Sequence, residues 1–364
     1  MRSESLTSEG QRNVVTVRAK FLGSLLGGMV ADGFGAPTQG WNAERVEEAL
    51  SLMARLPKDS AYRALYEGVL GPLTGRFGHS RFHYTDDTQM TISVTESLVA
   101  SGRFDGEDMA RRLAENFDAG RSYGPGIFCV IQHLRRGVPW NAAGTQVFGG
   151  QGSSCNGGAA RVGPIGLLFH DLNSGNLRRV VELATSITHA HPLGIEGAVL
   201  QALAVAVAVR LDPFADFDPL AFLDELEDGF CTRQAVYQEA LTALRGLVTR
   251  HLRGGDVTPR MATETLGHSS EASASVPLAL CAFLLHPRSF EDATRFAVRM
   301  GGATDTQAAL CGTVSGAYLG HAAIPAEWIE VIENEGRGRD YLGRLGLELY
   351  QVWQTPERRP IPLK

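Results

Sequence analysis

The chain has 364 residues, 44% of them apolar, which is enough for a large core and for one to three domains. A net charge of −6 with 20% charged residues and no basic block excludes a protein that works by neutralising many phosphates. The five cysteines Cys129, Cys155, Cys231, Cys281 and Cys311 are odd in number and include no Cys-x-x-Cys pair, so a reducing compartment fits better than a disulfide framework. Cys129, Cys281 and Cys311 lie in apolar runs and read as small core residues.

In chain order, residues 1–13 are polar, carry no apolar run of signal-peptide type, and read as a flexible tail before a single domain at 14–364. Phe21, Leu25, Leu26 and Met29 then mark one face of a first helix that should end near Gly33 to Pro37. Met90, Val94, Leu98 and Val99 mark another. Further helices are expected at 107–117, 125–136, 177–187, 195–211, 219–228, 233–252, 274–286, 290–299 and 305–320. Strict alternation is rare, so the fold class is all-α, with little sheet. The apolar stretch Ala198–Val209 is too short to span a bilayer, and a soluble, cytoplasmic protein is expected. Glycines inside helices, Gly23, Gly27 and Gly28 or Gly312 and Gly316, cost helix stability and suggest axes that pack closely. Residues 142–166, rich in Gly, Ser and Asn, should form a long loop.

Four segments carry candidate chemistry. Thr85-Asp86-Asp87 opens a helix; helix capping explains it, and so does an oxygen-ligand site for a hard cation. Gly301 to Gln307 places Asp305 and Thr306 at another helix start, where Thr304 and Gln307 have capping-box spacing. Residues 148–158 form a glycine-rich run able to present successive N–H groups to an anion, but lack the ending of a P-loop. His189 and His191 do not share a helix face, so a zinc site is weakly supported, and His191 reads as a satisfied loop histidine.

Taken together, Gly28–Gln39, Tyr84–Met90, Tyr123-Gly124-Pro125-Gly126, Phe148–Val162, Thr188–Val205, Ser275–Leu284 and Gly301–Gly320 resemble, in order, the ADP-ribosyl-acceptor hydrolase family, nearest its serine-ADP-ribose and poly(ADP-ribose) branch. The resemblance implies a compact orthogonal multi-helix bundle with one or two Mg2+ (or Mn2+) ions. It implies metal ligands Thr85, Asp86, Asp87, Asp305 and Thr306, and a ligand cleft at Gly124, Phe148, Gly152, Ser153, Ser154, Cys155, Asn156, Gly157 and His189. The implied partner is ADP-ribose or an ADP-ribosylated protein or small molecule. No membrane is implied, nucleic acid enters only as an ADP-ribosylated acceptor, and a monomer is the default. The implied reaction breaks the glycosidic bond of the distal ribose through an oxocarbenium-like state, with Asp86, Asp87 and position 39 as the catalytic set.

Three positions depart from that pattern. Gln39 stands where the family has Glu and cannot act as a general base, Ala303 stands where it has Asp and offers no ligand, and Ser154 replaces an aromatic. Three readings fit: a hydrolase with an altered site, a non-catalytic ADP-ribose-binding or regulatory (including immunity) protein of the same fold, or substitutions introduced to trap a complex.

Overall fold

The computed structural model describes residues 15–57, 60–75 and 81–355, so the expected tail at 1–13 lies outside the described residues. Fourteen helices of ten residues or more dominate the described residues. They are α1 Val17–Gly35, α2 Ala43–Arg55, α3 Ala61–Thr74, α4 Asp86–Ser101, α5 Gly106–Glu115, α6 Pro125–Arg135, α7 Ser174–Ser186, α8 Pro192–Arg210, α9 Pro219–Phe230, α10 Ala235–Leu252, α11 Ala272–Leu285, α12 Phe290–Arg299, α13 Thr304–Leu319 and α14 Arg339–Trp353. No strand occurs among the described residues, only isolated bridges such as Asn42 with Gly301 and Cys155 with Glu271.

The helix at the centre, α8, is buried from Gly197 through Val209 without interruption. Its length and apolar composition would suffice to cross a membrane, but here α7, α9, α11 and α13 cover it. A helix apolar all round belongs inside a large core. α1 lies against α13 along most of both lengths. The expected close approach is realised there: a Cβ on Gly316 would sit 2.0 Å from the Gly23 carbonyl oxygen, and one on Gly312 2.4 Å from that of Gly27. Backbone touches backbone, so the glycines that weaken each helix alone let the two axes meet.

The expected boundaries of the long helices hold to within three residues, but three other expectations change. Residues 142–166 are not a continuous loop. Single turns at 140–143, 144–146, 148–150 and 157–160, and the short helix Gly163–Leu168, fold most of that stretch into the core. Glycine and serine bias hid them, because each is too short to show a helical period. Cys129 lies on the outward face of α6 and is exposed, whereas Cys281 and Cys311 are buried as expected. The capping box at Thr304 and Gln307 does not form: Ala303 is the N-cap, the Thr304 hydroxyl donates to the Gly35 carbonyl, and neither amide atom of the buried Gln307 has a partner.

The α1–α13 contact makes a paired prediction. Gly316→Ala should cost about 3 kcal/mol or more, because neither backbone can retreat from the added methyl. Gly246→Ala, with open space around its Cβ position on α10, should gain about 0.5–1 kcal/mol. Urea melts measure both, and equal effects would mean the axes do not meet as described.

Candidate functional site

Three separate segments bring acids to one point. Asp32 lies near the C-terminal end of α1, fully buried, and accepts four hydrogen bonds from the start of α4. The donors are the Thr85 N–H (3.0 Å), the Thr85 hydroxyl (2.7 Å), the Thr88 N–H (3.1 Å) and the Thr88 hydroxyl. Asp32 thus caps a helix from another helix. Thr85 is the local N-cap, its oxygen accepting from the Asp87 N–H at 3.4 Å. The capping reading of Thr85 is therefore correct, and its hydroxyl is also tied to Asp32.

The start of α13 meets the same point. The hydroxyls of Thr38 and Thr304 both donate to the Gly35 carbonyl, at 3.1 and 2.9 Å. A Cβ on Gly35 would fall 2.2 Å from the Thr304 carbonyl oxygen, so only glycine permits this approach. Asp305 follows at once, with one oxygen 2.7 Å from the Thr306 N–H and 3.5 Å from its hydroxyl.

The electrostatics record the convergence. Burial first, then the charges of Asp305 and Asp32, hold the Asp86 carboxyl well above the usual carboxylate range. Burial, then Asp86, Asp32 and Asp305, do the same to Asp87. Burial followed by Asp32 pushes Asp305 up to about 7, and burial alone outweighs four hydrogen bonds to push Asp32 up to about 6. Three buried acids and the half-buried Asp86 beside them cannot all stay ionised without a counter-charge. The Asp87 Oδ2 atom is buried and has no partner. An orphaned carboxylate oxygen amid mutually repelling acids fits a hard divalent cation. Among the described residues no three acidic, histidine or cysteine side chains close into a cage by themselves. The donor set is therefore carboxylate plus threonine hydroxyl, which suits an ion that keeps part of its water shell.

A clamp from the far end of the chain fixes α4's entry. Glu333 accepts from the Tyr84 N–H at 2.9 Å and pairs with Arg121, whose guanidinium lies 3.8 Å over the Tyr84 ring. Beside the acids, Tyr123 is buried with its phenol within the electrostatic reach of Asp86. Glu333 and Arg121 were not singled out from sequence, and Asp32 and Tyr123 fell within resembling segments (Gly28–Gln39 and Tyr123–Gly126) without being given a site role. An aspartate within an apolar helix was the one available signal.

The second half of the site runs away from the acids. Gly157 packs against the His189 ring and Met90 of α4. Arg161, wholly buried, donates to Thr188 Oγ1, which lies 2.8 Å from His189 Nδ1. That relay assigns the imidazole proton to Nε2. Burial, then Arg161, pushes His189 down to about 3, so it is a neutral donor and no proton shuttle. His191 caps α8 through Nδ1, a satisfied loop histidine as expected.

Residues 148–156 turn back under His189. Gly152, at φ +76°, has no room for a Cβ beside Ala190 and His191. Contrary to an open anion nest, the N–H groups of Gly150, Gln151 and Gly152 close turns onto Val147 and Phe148, and those of Cys155 and Asn156 bond Ser153 Oγ and the Ser270 carbonyl. Within 148–158 the N–H groups of Phe148, Gly149, Ser153, Ser154, Gly157 and Gly158 have no bond to described residues. The Asn156 side chain donates to Ser275 on α11, anchoring the loop, and Cys155 pairs with Glu271 through its backbone. Phe148 is half exposed at φ +52°, a strained conformation for an aromatic residue, with its ring over Gly126. Gly124 is exposed at the N-cap of α6 nearby.

Gln39 and Ala303 lie at the opposite edge. Gly40 N–H donates to the Gly302 carbonyl (2.8 Å) and Gly302 N–H to that of Trp41 (2.6 Å), so the loops bearing both departures run side by side. Gln39 is exposed and Ala303 half-buried, and neither position offers a carboxylate.

Residues 13–359 match the family model described as ADP-ribosylglycohydrolase. The chain is similar to ADP-ribosylhydrolase ARH3 of Homo sapiens (32% identity, covering 78% of this chain and 84% of that protein) and of Mus musculus (30%, 92% and 92%). An uncharacterised protein of Archaeoglobus fulgidus is 31% identical, covering 92% and 96%. A solved ADP-ribosylglycohydrolase-related protein complex shares the fold, with TM-score 0.60 and 23% identity over 93% of this chain and 99% of that one.

The raised acids set a pH dependence for cation-free protein. A folded carboxyl with an elevated pKa keeps its proton where the unfolded chain has lost it. Its contribution to stability therefore falls as pH rises from about 4 towards 7, the value reached by Asp305. In the presence of chelator, Asp305→Asn should melt increasingly above the parent as pH rises from about 5 to about 7.5. A constant difference in Tm across that range would contradict the mutual repulsion.

Proposed function

The chain belongs to the ADP-ribosylglycohydrolase family, and from that premise we propose that it is a Mg2+- or Mn2+-dependent hydrolase that cleaves the bond between an acceptor atom and the anomeric carbon of an ADP-ribosyl group. The observation that carries this reading is the convergence of Asp32, Asp86, Asp87 and Asp305, with one Asp87 oxygen left unpartnered.

Thr85, Asp86, Asp87, Asp305 and Thr306 would hold the ion. A divalent cation bound there supplies charge compensation for the acids and Lewis-acid orientation of the vicinal diol of the distal ribose. The diphosphate is received by the uncommitted N–H groups of Ser153, Ser154, Gly157 and Gly158 and by the Ser153 hydroxyl. His189 donates from Nε2 as a fixed neutral group, and Phe148 offers an aromatic face to the adenine end.

Hydrolysis adds a water oxygen to the anomeric carbon and a proton to the departing acceptor. Gln39 cannot take the proton of that water. The task falls to Asp86, the carboxylate at the start of α4 that faces Asp305. Asp86 and Asp87 also face the positive charge that develops at the anomeric carbon.

A second reading has its own support. With neutral Gln39 and Ala303 at the same edge, the protein would hold ADP-ribose without turnover. Release of ADP-ribose from serine-, arginine- or nucleic-acid-linked substrates with Mg2+ separates the two. Asp86→Asn should lower that release by about a hundredfold or more, and Asp87→Asn should abolish the rise in Tm that Mg2+ gives the parent. The double variant Gln39→Glu with Ala303→Asp should tighten Mg2+ and raise release. Unchanged values for both would refute the assigned edge. Tight ADP-ribose binding by the parent with no release from any substrate would favour the binder. Separately, Phe148→Asn, which suits the left-handed backbone, should leave Tm within a few degrees while weakening ADP-ribose by about tenfold in calorimetry. Undiminished affinity would remove Phe148 from the cleft.

A further inference from the structure

Beside Trp41, whose loop adjoins that of Ala303, lies a groove of about 540 Å3 between α2 and α3. The Trp41 carbonyl accepts from Gly302, three residues before Asp305, while its ring carries the Arg45 guanidinium at 4.3 Å and lines the groove. The lips are Leu52, Tyr62 and Leu65, exposed at 44%, 73% and 67%, with Tyr66 on the floor. Three strongly exposed large apolar side chains on one helical hairpin are uncommon on a surface that contacts only water.

The order of contacts along the cleft says which end this is. Phe148 lies over Gly126 at one extreme; Gly152 touches Ala190; Gly157 touches His189 and Met90; Asp86 and Asp87 meet Asp305; and Gly302 meets Trp41. If the adenine lies towards Phe148 and the diphosphate at Ser153, the distal ribose reaches the acids, and whatever is bonded to its anomeric carbon leaves past Gln39 and Trp41. We propose, resting on the hydrolase reading above, that the α2–α3 groove binds the polypeptide acceptor itself, taking apolar or aromatic side chains that flank the modified residue.

The lining chooses polypeptide over nucleic acid. Among the described residues the groove's one cation, Arg45, is stacked on Trp41 and shares the lining with Glu48. A strand of phosphates would need several unmatched cations there. Aromatic and leucine side chains around one stacked arginine are the composition of a protein-binding patch. The volume falls in the range of side-chain and small-molecule pockets, roughly 300–1,000 Å3. The edge that lacks carboxylates at Gln39 and Ala303 is also the edge nearest this groove, so contacts to the acceptor lie beside the weakened chemistry.

The test uses the full chain and two peptides with a central serine, one flanked by Leu and Phe and one by Gly. Calorimetry of the unmodified peptides tests the groove without any turnover. The parent should bind the Leu/Phe peptide about tenfold more tightly than the Gly peptide, and Tyr62→Ala with Leu65→Ala should erase the difference. With both peptides ADP-ribosylated on serine, kcat/KM should show the same preference and the same loss, while release from ADP-ribosyl-serine amide stays unchanged in the double variant. No Leu/Phe preference in the parent, retention of it in the double variant, or displacement of the peptide by a 5′-phosphorylated oligonucleotide overturns the proposal. A binding preference without release from any substrate supports the groove and counts against the hydrolase reading instead.

Discussion

The site depends on the backbone-to-backbone contact of α1 with α13. Asp32 and Asp305 lie 273 positions apart in the chain, and neither segment carries a feature that would draw acids together. Repulsion would separate them. What prevents this is steric and apolar: Gly23 against Gly316 and Gly27 against Gly312 lock the axes at a spacing that no larger side chain allows. The same lock sets Gly35 on the Thr304 carbonyl. Core packing, dominated by α8 and its neighbours, therefore imposes a cost on four carboxylates that could not assemble by their own interactions.

Two effects partly relieve that cost. Asp86, Asp87 and Asp305 occupy first turns of helices, where the dipole favours negative charge by about 0.3–1 kcal/mol each. Asp32 takes four hydrogen bonds. Neither is sufficient, since Asp32 and Asp305 still end near 6 and 7 and the other two well above their ordinary range. Hydrogen bonds and dipoles are local and partial, whereas a doubly charged ion acts on every acid at once. The surroundings contrast with this. Glu96, bonded to Asn116, Tyr341 and Arg337, and Glu333, paired with Arg121, are held below the usual carboxylate range although they too are partly buried. The fold supplies cations for these acids and withholds them from the site.

Much of this was readable in the sequence because it is periodic or local. The long helices follow from apolar spacing, and the two acid-bearing helix starts follow from residue type. The close glycine pairs were also legible, since a glycine in a helix interior calls for a reason. What escaped was non-local. Nothing around Asp32 says that it caps a helix more than fifty residues ahead, and nothing around Glu333 says that it holds Tyr84 across 249 positions. The helices α2, α3 and α14 were missed although α2 has a plain amphipathic pattern. The glycine run at 148–152 misled in another way. Glycine permits a nest, but it also permits tight turns that consume their own amides, and composition cannot distinguish the two.

Gln39 and Ala303 acquire a different meaning once their loops are seen to run together. Scattered neutral replacements around a metal site would erode it from several directions. Here both fall on adjoining loops, while Thr85, Asp86, Asp87, Asp305 and Thr306 remain with the supports from Asp32 and Gly35 intact. A binding edge that loses charge also loses a demand for water and counter-ions, and becomes compatible with apolar neighbours. Trp41, two residues after Gln39, opens onto such neighbours. Of the three departures from the pattern that the resemblance implies, Gln39 and Ala303 therefore lie on adjoining loops beside Trp41, whereas Ser154 lies apart in the 148–158 run.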